Sequence, residues 1–584
     1  MHTQISFSGN VWNFFRNDPE EVAEVAMATG VTSLVANIFL NRGISDPSEI
    51  KMILDSKLKN TIPDPSLFLD MDKGVERLAN AVANRERIMI LGDYDVDGIT
   101  SAYLMVKYLS DVGAPPTYLL PNRFTDGYGV SKRALSMAVD NGVNLIIAVD
   151  TGINAINEIH KAKQAGIDSI VIDHHAQVCD ALPEAVAIIN PHRKDQHEIC
   201  GSHIKSLCAA GVVLMFIIAL QRELKRRKFF SDKLEPNLLD LTGVVALGTL
   251  CDVMELKGVN RAIVKRALLD GKYPLGIYQL MQTLNMTKIS SAEDLGFFIG
   301  PAMNAAGRLG DPTIALKLLL SKNDEEAADI ALKLVSMNKK RKEIEKQIVN
   351  EAIAMCEAGQ LFHNSGICVY GDGWHEGVIG IVAGRLKDKF HKPSFVISFN
   401  QDGIGKGSAR SVPGAHLGEL LASAKNDGLI IEGGGHSQAG GFTISRDQIS
   451  RFADFVNTNI RADYVPTLDI DCKITTMSNF AQITRDLAVM EPFGVGMEKP
   501  LFCIERVRIR DAKRVGNDRS HLMLWLSGER PGKMLKAMIF HCHAKHNLVN
   551  HIEKRTDDLF DVAGYINIHE RYGKSFFVQD ARIA

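Results

Sequence analysis

The chain has 584 residues, with 67 Lys and Arg against 69 Asp and Glu, a formal net charge of −2 and 46% hydrophobic residues. Such a length suggests about three or four domains, and the composition excludes wholesale disorder and a fibrous repeat. Near-neutral charge gives no overall attraction to nucleic acid, so a polyanion site has to come from local clustering or from metal ions.

In chain order, residues 1–70 read as a helical lead-in, with helices at 22–28 and 50–54, closed by the proline-marked turn TIPDPS. The start, MHTQISFSGNVWNFFRND, lacks a basic stretch followed by an apolar core, so no secretory signal is expected, and an intracellular, cytoplasmic location follows by default. From Lys73 onward helical segments alternate with short apolar strands at 87–91, 143–149 and 168–172. That alternation predicts crossover units and an α/β domain with a parallel sheet over 71–323. The longest apolar run, 208–220, falls short of the ~18 residues of a membrane span and reads as a buried helix.

Residues 324–357 hold neither Pro nor Gly and are rich in helix formers, predicting one long connecting helix. A second α/β domain is expected over 358–462, with the glycine clusters GDGWHEGVIG, GIGKGSARS and GGGHSQAGG. Residues 463–584 read as short strands and turns, fitting a small β-barrel. The nine cysteines form no C-x-x-C and are expected to be reduced thiols.

The strongest chemical signal is the apolar strand Ile88-Met89-Ile90-Leu91 running through Gly92 into Asp93-Tyr94-Asp95-Val96-Asp97-Gly98, with carboxylates at alternate positions. Period-two spacing can aim acids the same way, and open parallel sheets bind ligands at the carboxyl ends of their strands. The pattern repeats: the next strand ends at Asp150-Thr151-Gly152, the one after at Asp173-His174-His175, and Asp252 follows the apolar stretch 243–250. Taken singly, a strand-end aspartate reads as a turn or a helix cap. Four such sites with a His-His pair read as a metal cluster. Many carboxylates and an imidazole, with no thiolate, suggest two divalent cations, Mg2+ or Mn2+ rather than zinc.

DYDVDG, VDTG, DHH and the aspartate of GTLCDV, in that order, resemble the four motifs of the DHH phosphoesterase superfamily. GWHEGVIGIVAGRL and GGGHSQAGG resemble its associated substrate-binding domain. With EPFGVG ahead of the β module, the likeness covers nearly the whole chain and is greatest to the bacterial single-stranded-DNA exonucleases of that superfamily. The resemblance implies a DHH catalytic domain at 71–323, a DHH-associated domain at 358–462 and an OB-fold DNA-binding domain at 463–584. It implies metal ligation by Asp93, Asp95, Asp97, Asp150, His174 and Asp252, with Asp97 also catalytic, His175 beside the scissile phosphate and Asp173 orienting a histidine. Which acid bridges the two ions stays open. Two metals would activate water and neutralise phosphoryl charge with no covalent enzyme intermediate.

A phosphate grip is expected outside the metal motifs. Gly405-Lys406-Gly407-Ser408-Ala409-Arg410-Ser411 offers a hydroxyl and cations in what reads as a flexible loop, and Asn304-Ala305-Ala306-Gly307-Arg308 adds a guanidinium suited to a terminal phosphate. Each alone is an ordinary turn or surface; the resemblance favours phosphate binding by Arg308, Ser408 and Arg410, and sets His436 in the nucleotide groove. Gly573-Lys574-Ser575 mimics the end of a P-loop, but Ile568 stands where the first glycine is required, so no ATP site is expected. In the barrel, Arg506, Arg508 and Arg510 alternate with Val507 and Ile509, predicting a cationic strand face for single strands, with Phe493, Phe502, Trp525, Tyr572 and Phe576 as candidate stacking aromatics. The clusters KRRKFF and NKKRK read as solvated helix faces.

The reading is a metal-dependent exonuclease that digests single-stranded DNA from a 5′ end to mononucleotides in recombination and repair. By resemblance its partners are a single-stranded-DNA-binding protein and a RecQ-type helicase, with no membrane. Alternatives are a DHH phosphoesterase acting on oligonucleotides or cyclic dinucleotides, against which the extra β module speaks, and a non-catalytic DNA-binding relative, against which the intact acids speak.

Overall fold

The structure, a computed structural model, describes residues 5–127, 129–196, 204–461, 464–516, 519–528, 534–542, 545–554, 558–569 and 573–584. It divides into two compact units: residues 55–343 with 492–498, and residues up to 54 with 344–491 and 499–584.

In the unit built on 55–343, five parallel strands lie in the order Thr117–Leu119, Ile88–Leu91, Leu145–Val149, Asp168–Ile172, Ala187–Ile189. Ile88–Leu91 and Leu145–Val149 are buried along their whole length, because helices cover both faces of the sheet, so their sequences run apolar without alternation. Met71–Asn84, Val96–Asp111 and Ala209–Arg226 pack on one face. Lys132–Asp140 and Ile156–Gln164 pack on the other. Strand order reverses between Ile88–Leu91 and Leu145–Val149, and at such a switch point a crevice opens at the carboxyl ends of the strands. The stretch ahead of Asp252 is the helix Thr242–Cys251, not another strand. It is buried on nearly every side, and an apolar run without periodicity does not separate strand from helix.

The helix Asp324–Ala358 is continuous for 35 residues, as its composition predicts. NKKRK on that helix is only partly solvated: Asn338 and Arg341 are buried, and Arg341 Nε donates to Asn338 Oδ1 at 3.0 Å. In the other unit, a mixed sheet runs Glu432–Gly435, Ala439–Ser445, Ile404–Arg410, Ser394–Phe399, Ile367–Asp372. The expected GKGSAR loop is therefore a strand inside this sheet. A Cβ on Gly407 would stand 2.2 Å from Phe442 Cζ; the glycines that mimic a loop in the sequence let aromatic rings lie flat on the strand.

Residues after 500 form a closed barrel, with strands Phe502–Val515, His521–Ser527, Leu535–Ile539, Gly573–Ile583 and Leu559–His569 paired in a ring, and Cys472–Ile474 added in parallel to Phe502–Val515. Phe502 and Phe576 fill its core rather than serving as stacking surfaces; Tyr572 lies outside the described residues. The N-terminal lead-in is not purely helical. Pro19–Thr29, Ser33–Asn41 and Pro47–Asp55 are helices, but Val11–Phe14 is a strand paired in parallel with Thr467–Ile470. Buried Asp580 fastens this segment, its Oδ2 accepting from Ser6 Oγ at 2.5 Å, Asn10 Nδ2 at 2.8 Å and Trp12 Nε1 at 3.0 Å. Among the described residues no single helix is long and apolar enough to cross a membrane.

Candidate metal centre

The acids reach one crevice by different local routes. Asp95 caps the helix Val96–Asp111, its Oδ1 accepting from Asp97 N at 3.0 Å and Gly98 N at 3.1 Å. Asp97, in the first turn of that helix, accepts from Ala209 N at 2.7 Å and Ala210 N at 3.0 Å. These donors begin the helix Ala209–Arg226, whose positive end favours a carboxylate. Asp150 follows its strand with φ 60, a left-handed conformation that costs a non-glycine residue energy. Asp252 stands at the C-terminal cap of Thr242–Cys251.

His174 Nε2 lies 3.3 Å from Asp150 Oδ1, 3.6 Å from Asp252 Oδ2 and 3.7 Å from Asp97 Oδ2. Three sets of potential ligand atoms lie within 4.8 Å of one another: Asp93, Asp95 and Asp150; Asp97, His174 and Asp252; Asp150, His174 and His175. Asp150 is shared between two of these sets. Asp173 sits below them, fully buried, accepting from Ile153 N at 3.1 Å, His174 N at 2.8 Å and His175 Nδ1 at 2.8 Å.

The electrostatics are those of an acid cluster calling for cations. Burial, then the neighbouring carboxylates, lift Asp93 and Asp150 well above the usual carboxylate range. Burial and the charges of Asp97 and Asp95 push Asp252 up to about 8. Asp93 Oδ1 and Asp150 Oδ1 are buried and make no hydrogen bond among the described residues, whereas buried polar atoms are ordinarily bonded. Oxygen-rich donor sets with one imidazole fit hard divalent cations, and the orphan oxygens give such ions their place. Burial disfavours the charged forms of both Asp173 and His175, raising the first and lowering the second. Their mutual bond and opposite charges outweigh it, holding His175 at about 9 and Asp173 at about 2.

Arg308 lies on the helix Gly300–Leu309 in the same unit, and a Cβ on Gly307 would meet Tyr94 O at 2.2 Å, so the helix closes directly on the Asp93–Asp97 loop. Arg308 thereby adds positive charge at Tyr94. Arg123, which belongs to none of the motifs, stacks 4.2 Å from the Tyr94 ring centroid and lowers Asp93 by its charge. A sequence signal for it exists: PNRF follows directly on the strand Thr117–Leu119, at the same sheet edge as the acids.

Ser408 and Arg410 belong to the other unit, side by side on the strand Ile404–Arg410, with Arg410 Nη1 donating to Ala409 O at 2.8 Å. His436 is exposed in the turn between Glu432–Gly435 and Ala439–Ser445. Arg506 and Arg510 are exposed and Arg508 is half-buried, in alternation with the buried Val507 and Ile509. Register shifts fall between Ile504 and Val507 and between Ile509 and Asp511, with Arg506 at φ 54 and Arg510 Nε donating to Ser527 Oγ at 2.8 Å. An extra residue at each bulge bends the strand and increases its local twist.

A doubly wound sheet whose switch point gathers acids and a His-His pair defines the DHH class of α/β domain. The family model for the DHH family, N-terminal domain, matches residues 87–249, the DHHA1 domain matches 363–462, and the RecJ OB domain matches 470–578. The single-stranded-DNA-specific exonuclease RecJ of Haemophilus influenzae is 33% identical over 540 residues, covering 89% of this chain and 92% of that protein. RecJ of Escherichia coli is 33% identical over 546 residues, with 90% and 91% covered. The crystal structure of RecJ in complex with Mn2+ from Thermus thermophilus superposes with a TM-score of 0.79 at 25% identity, over 100% of this chain and 80% of that one. The chain belongs to the RecJ family.

Proposed function

We propose that the chain is a single-stranded-DNA-specific exonuclease that hydrolyses phosphodiester bonds with two divalent cations, Mn2+ or Mg2+, and releases 5′ mononucleotides from a 5′ end. The observation that carries this reading is the convergence of Asp93, Asp95, Asp97, Asp150, His174 and Asp252 on one crevice with orphaned buried oxygens. These residues would hold the ions. When bound, the ions supply charge neutralisation at the phosphoryl oxygens and make water a stronger nucleophile near neutral pH.

The chain's own residues do the rest. Asp173 fixes His175 through Nδ1, and the imidazole would stand beside the scissile phosphate as a proton donor. Ser408 and Arg410, neighbours on one strand, would hold the terminal phosphate and set the register of one nucleotide, and Arg308, close to the acids in its own unit, would contact phosphate there, as fork donors suit a dianionic group. His436 would line the nucleotide groove, and Arg506, Arg508 and Arg510 would give the barrel a diffuse hold on the strand backbone. Action in the cytoplasm, in recombination and repair beside a single-stranded-DNA-binding protein and a RecQ-type helicase, rests on the family resemblance.

The test is product analysis on 5′- and 3′-labelled single and double strands with Mn2+, Mg2+ or chelator. Mononucleotides from the 5′ end of single strands, abolished by chelator, are expected; metal-independent cleavage or release from the 3′ end would overturn the reading.

A further inference from the structure

Residues 492–498, the PFGVGME segment, leave the chain that surrounds them and pack into the unit of 55–343. They land on the segment that follows Asp252. Leu256 N donates to Val495 O at 2.7 Å, and Arg261 Nη1 donates to Pro492 O at 2.8 Å. Arg261 is only 1% exposed, an unusual burial for a guanidinium. The fit is tight: a Cβ on Gly494 would stand 2.6 Å from Leu256 Cδ1.

The held segment needs holding. Val253, one residue past Asp252, has φ 59, a strained conformation for a β-branched residue that persists only where its surroundings enforce it. Asn260, beside Arg261, donates to Glu255 O at 3.1 Å and to Ser206 O at 2.6 Å. Ser206 leads into the helix whose first N–H groups grip Asp97. One tongue thus braces the backbone behind two carboxylates that flank His174, at 3.6 Å and 3.7 Å.

We propose that the 492–498 tongue is a positioning element of the metal centre: through Leu256 and Arg261 it fixes the Asp252 loop and so sets cation affinity. This rests on the metal-centre reading above. The tongue is a covalent neighbour of the barrel that opens at Leu501 but acts on the ions rather than on DNA.

The test uses the full chain with Gly494→Val, which drives a branched side chain into Leu256, and MnCl2 alone as probe, with free Mn2+ read by electron paramagnetic resonance. Groups that orient metal ligands ordinarily count for about 10 to 100-fold in affinity, and a loss of that size is expected. At fixed Mn2+ kcat falls, KM for single-stranded DNA holds, and excess Mn2+ restores the rate. Removing the clash with Gly494→Val and Leu256→Ala together should recover much of the affinity. Gly494→Ala carries the same test should the valine variant not fold. Wild-type Mn2+ affinity in the Gly494 variants, or a change confined to KM, would overturn the proposal. If Asp97→Asn also binds Mn2+ like wild type, it is the metal-centre reading that falls, and the tongue's role with it.

Discussion

Asp97 both faces His174 and accepts the first two N–H groups of the helix Ala209–Arg226, so replacing it tests two things at once. Asp97→Ala should abolish cleavage and also leave buried donors unpaired, at about 1–3 kcal/mol each. His174→Ala should abolish cleavage with a melting temperature near wild type, and Asp173→Asn should retain more activity than either; thermal melts beside a single-strand digestion assay check all three. Asp70 offers a pH test away from the ions. Burial would raise its carboxyl, but Lys73 and Arg193 outweigh that and lower it, with Arg193 Nη1 at 2.6 Å. A lowered folded value means the unfolded chain binds more protons on acidification, so the pair stabilises above about pH 4 and is lost as pH falls further. Asp70→Asn, whose amide tolerates the left-handed φ of 58 there, should destabilise by about 1–3 kcal/mol at pH 7 and match wild type near pH 2 in urea unfolding; a constant gap would refute the ion pair. The acids were legible in sequence because they close apolar runs or alternate just beyond one. Arg261 was not, since its partner Pro492 is remote in the chain; Arg123 had only the weaker signal of its place just after a strand.

At the scale of elements, strands of four or five buried residues announced themselves by unbroken apolar runs, while Thr117–Leu119 and Ala187–Ile189, with three residues each, are too short for any pattern. Glycine misled in Ile404–Arg410. Its density suggested a loop, whereas Gly407 makes room for the Phe442 ring. Gly407→Ala should therefore cost about 1–3 kcal/mol as an overpacked core. It should also blur the preference for 5′-phosphate over 5′-hydroxyl ends, because Ser408 and Arg410 ride on the same strand. Phe442→Leu in the same chain should return part of the stability in a denaturant titration; no cost from the alanine alone would show that the ring moves freely aside.

For the whole molecule, the boundaries read from sequence put a cut at residue 463, yet the tongue at 492–498 lies beyond it and belongs to the unit of the acids. A truncation after Glu498 should therefore keep turnover and raise the DNA concentration for half-maximal rate, while one before Pro492 should lose turnover as well. Charge reversal at Arg506, Arg508 and Arg510 should flatten the salt dependence of binding, by up to about 0.7 in log-log slope for each phosphate no longer neutralised; an unchanged slope and affinity would mark those arginines as solvated bulge residues. The fastening of Ser6, Asn10 and Trp12 to Asp580 bears on synthesis. Residues 55–343 can begin to assemble as they leave the ribosome, but Trp12 has no hydrogen-bond acceptor at Asp580 until synthesis has passed Asp580. At about 5–20 residues per second, its indole and the apolar strand around it wait on the order of a minute without the partner that fastens them in the folded protein.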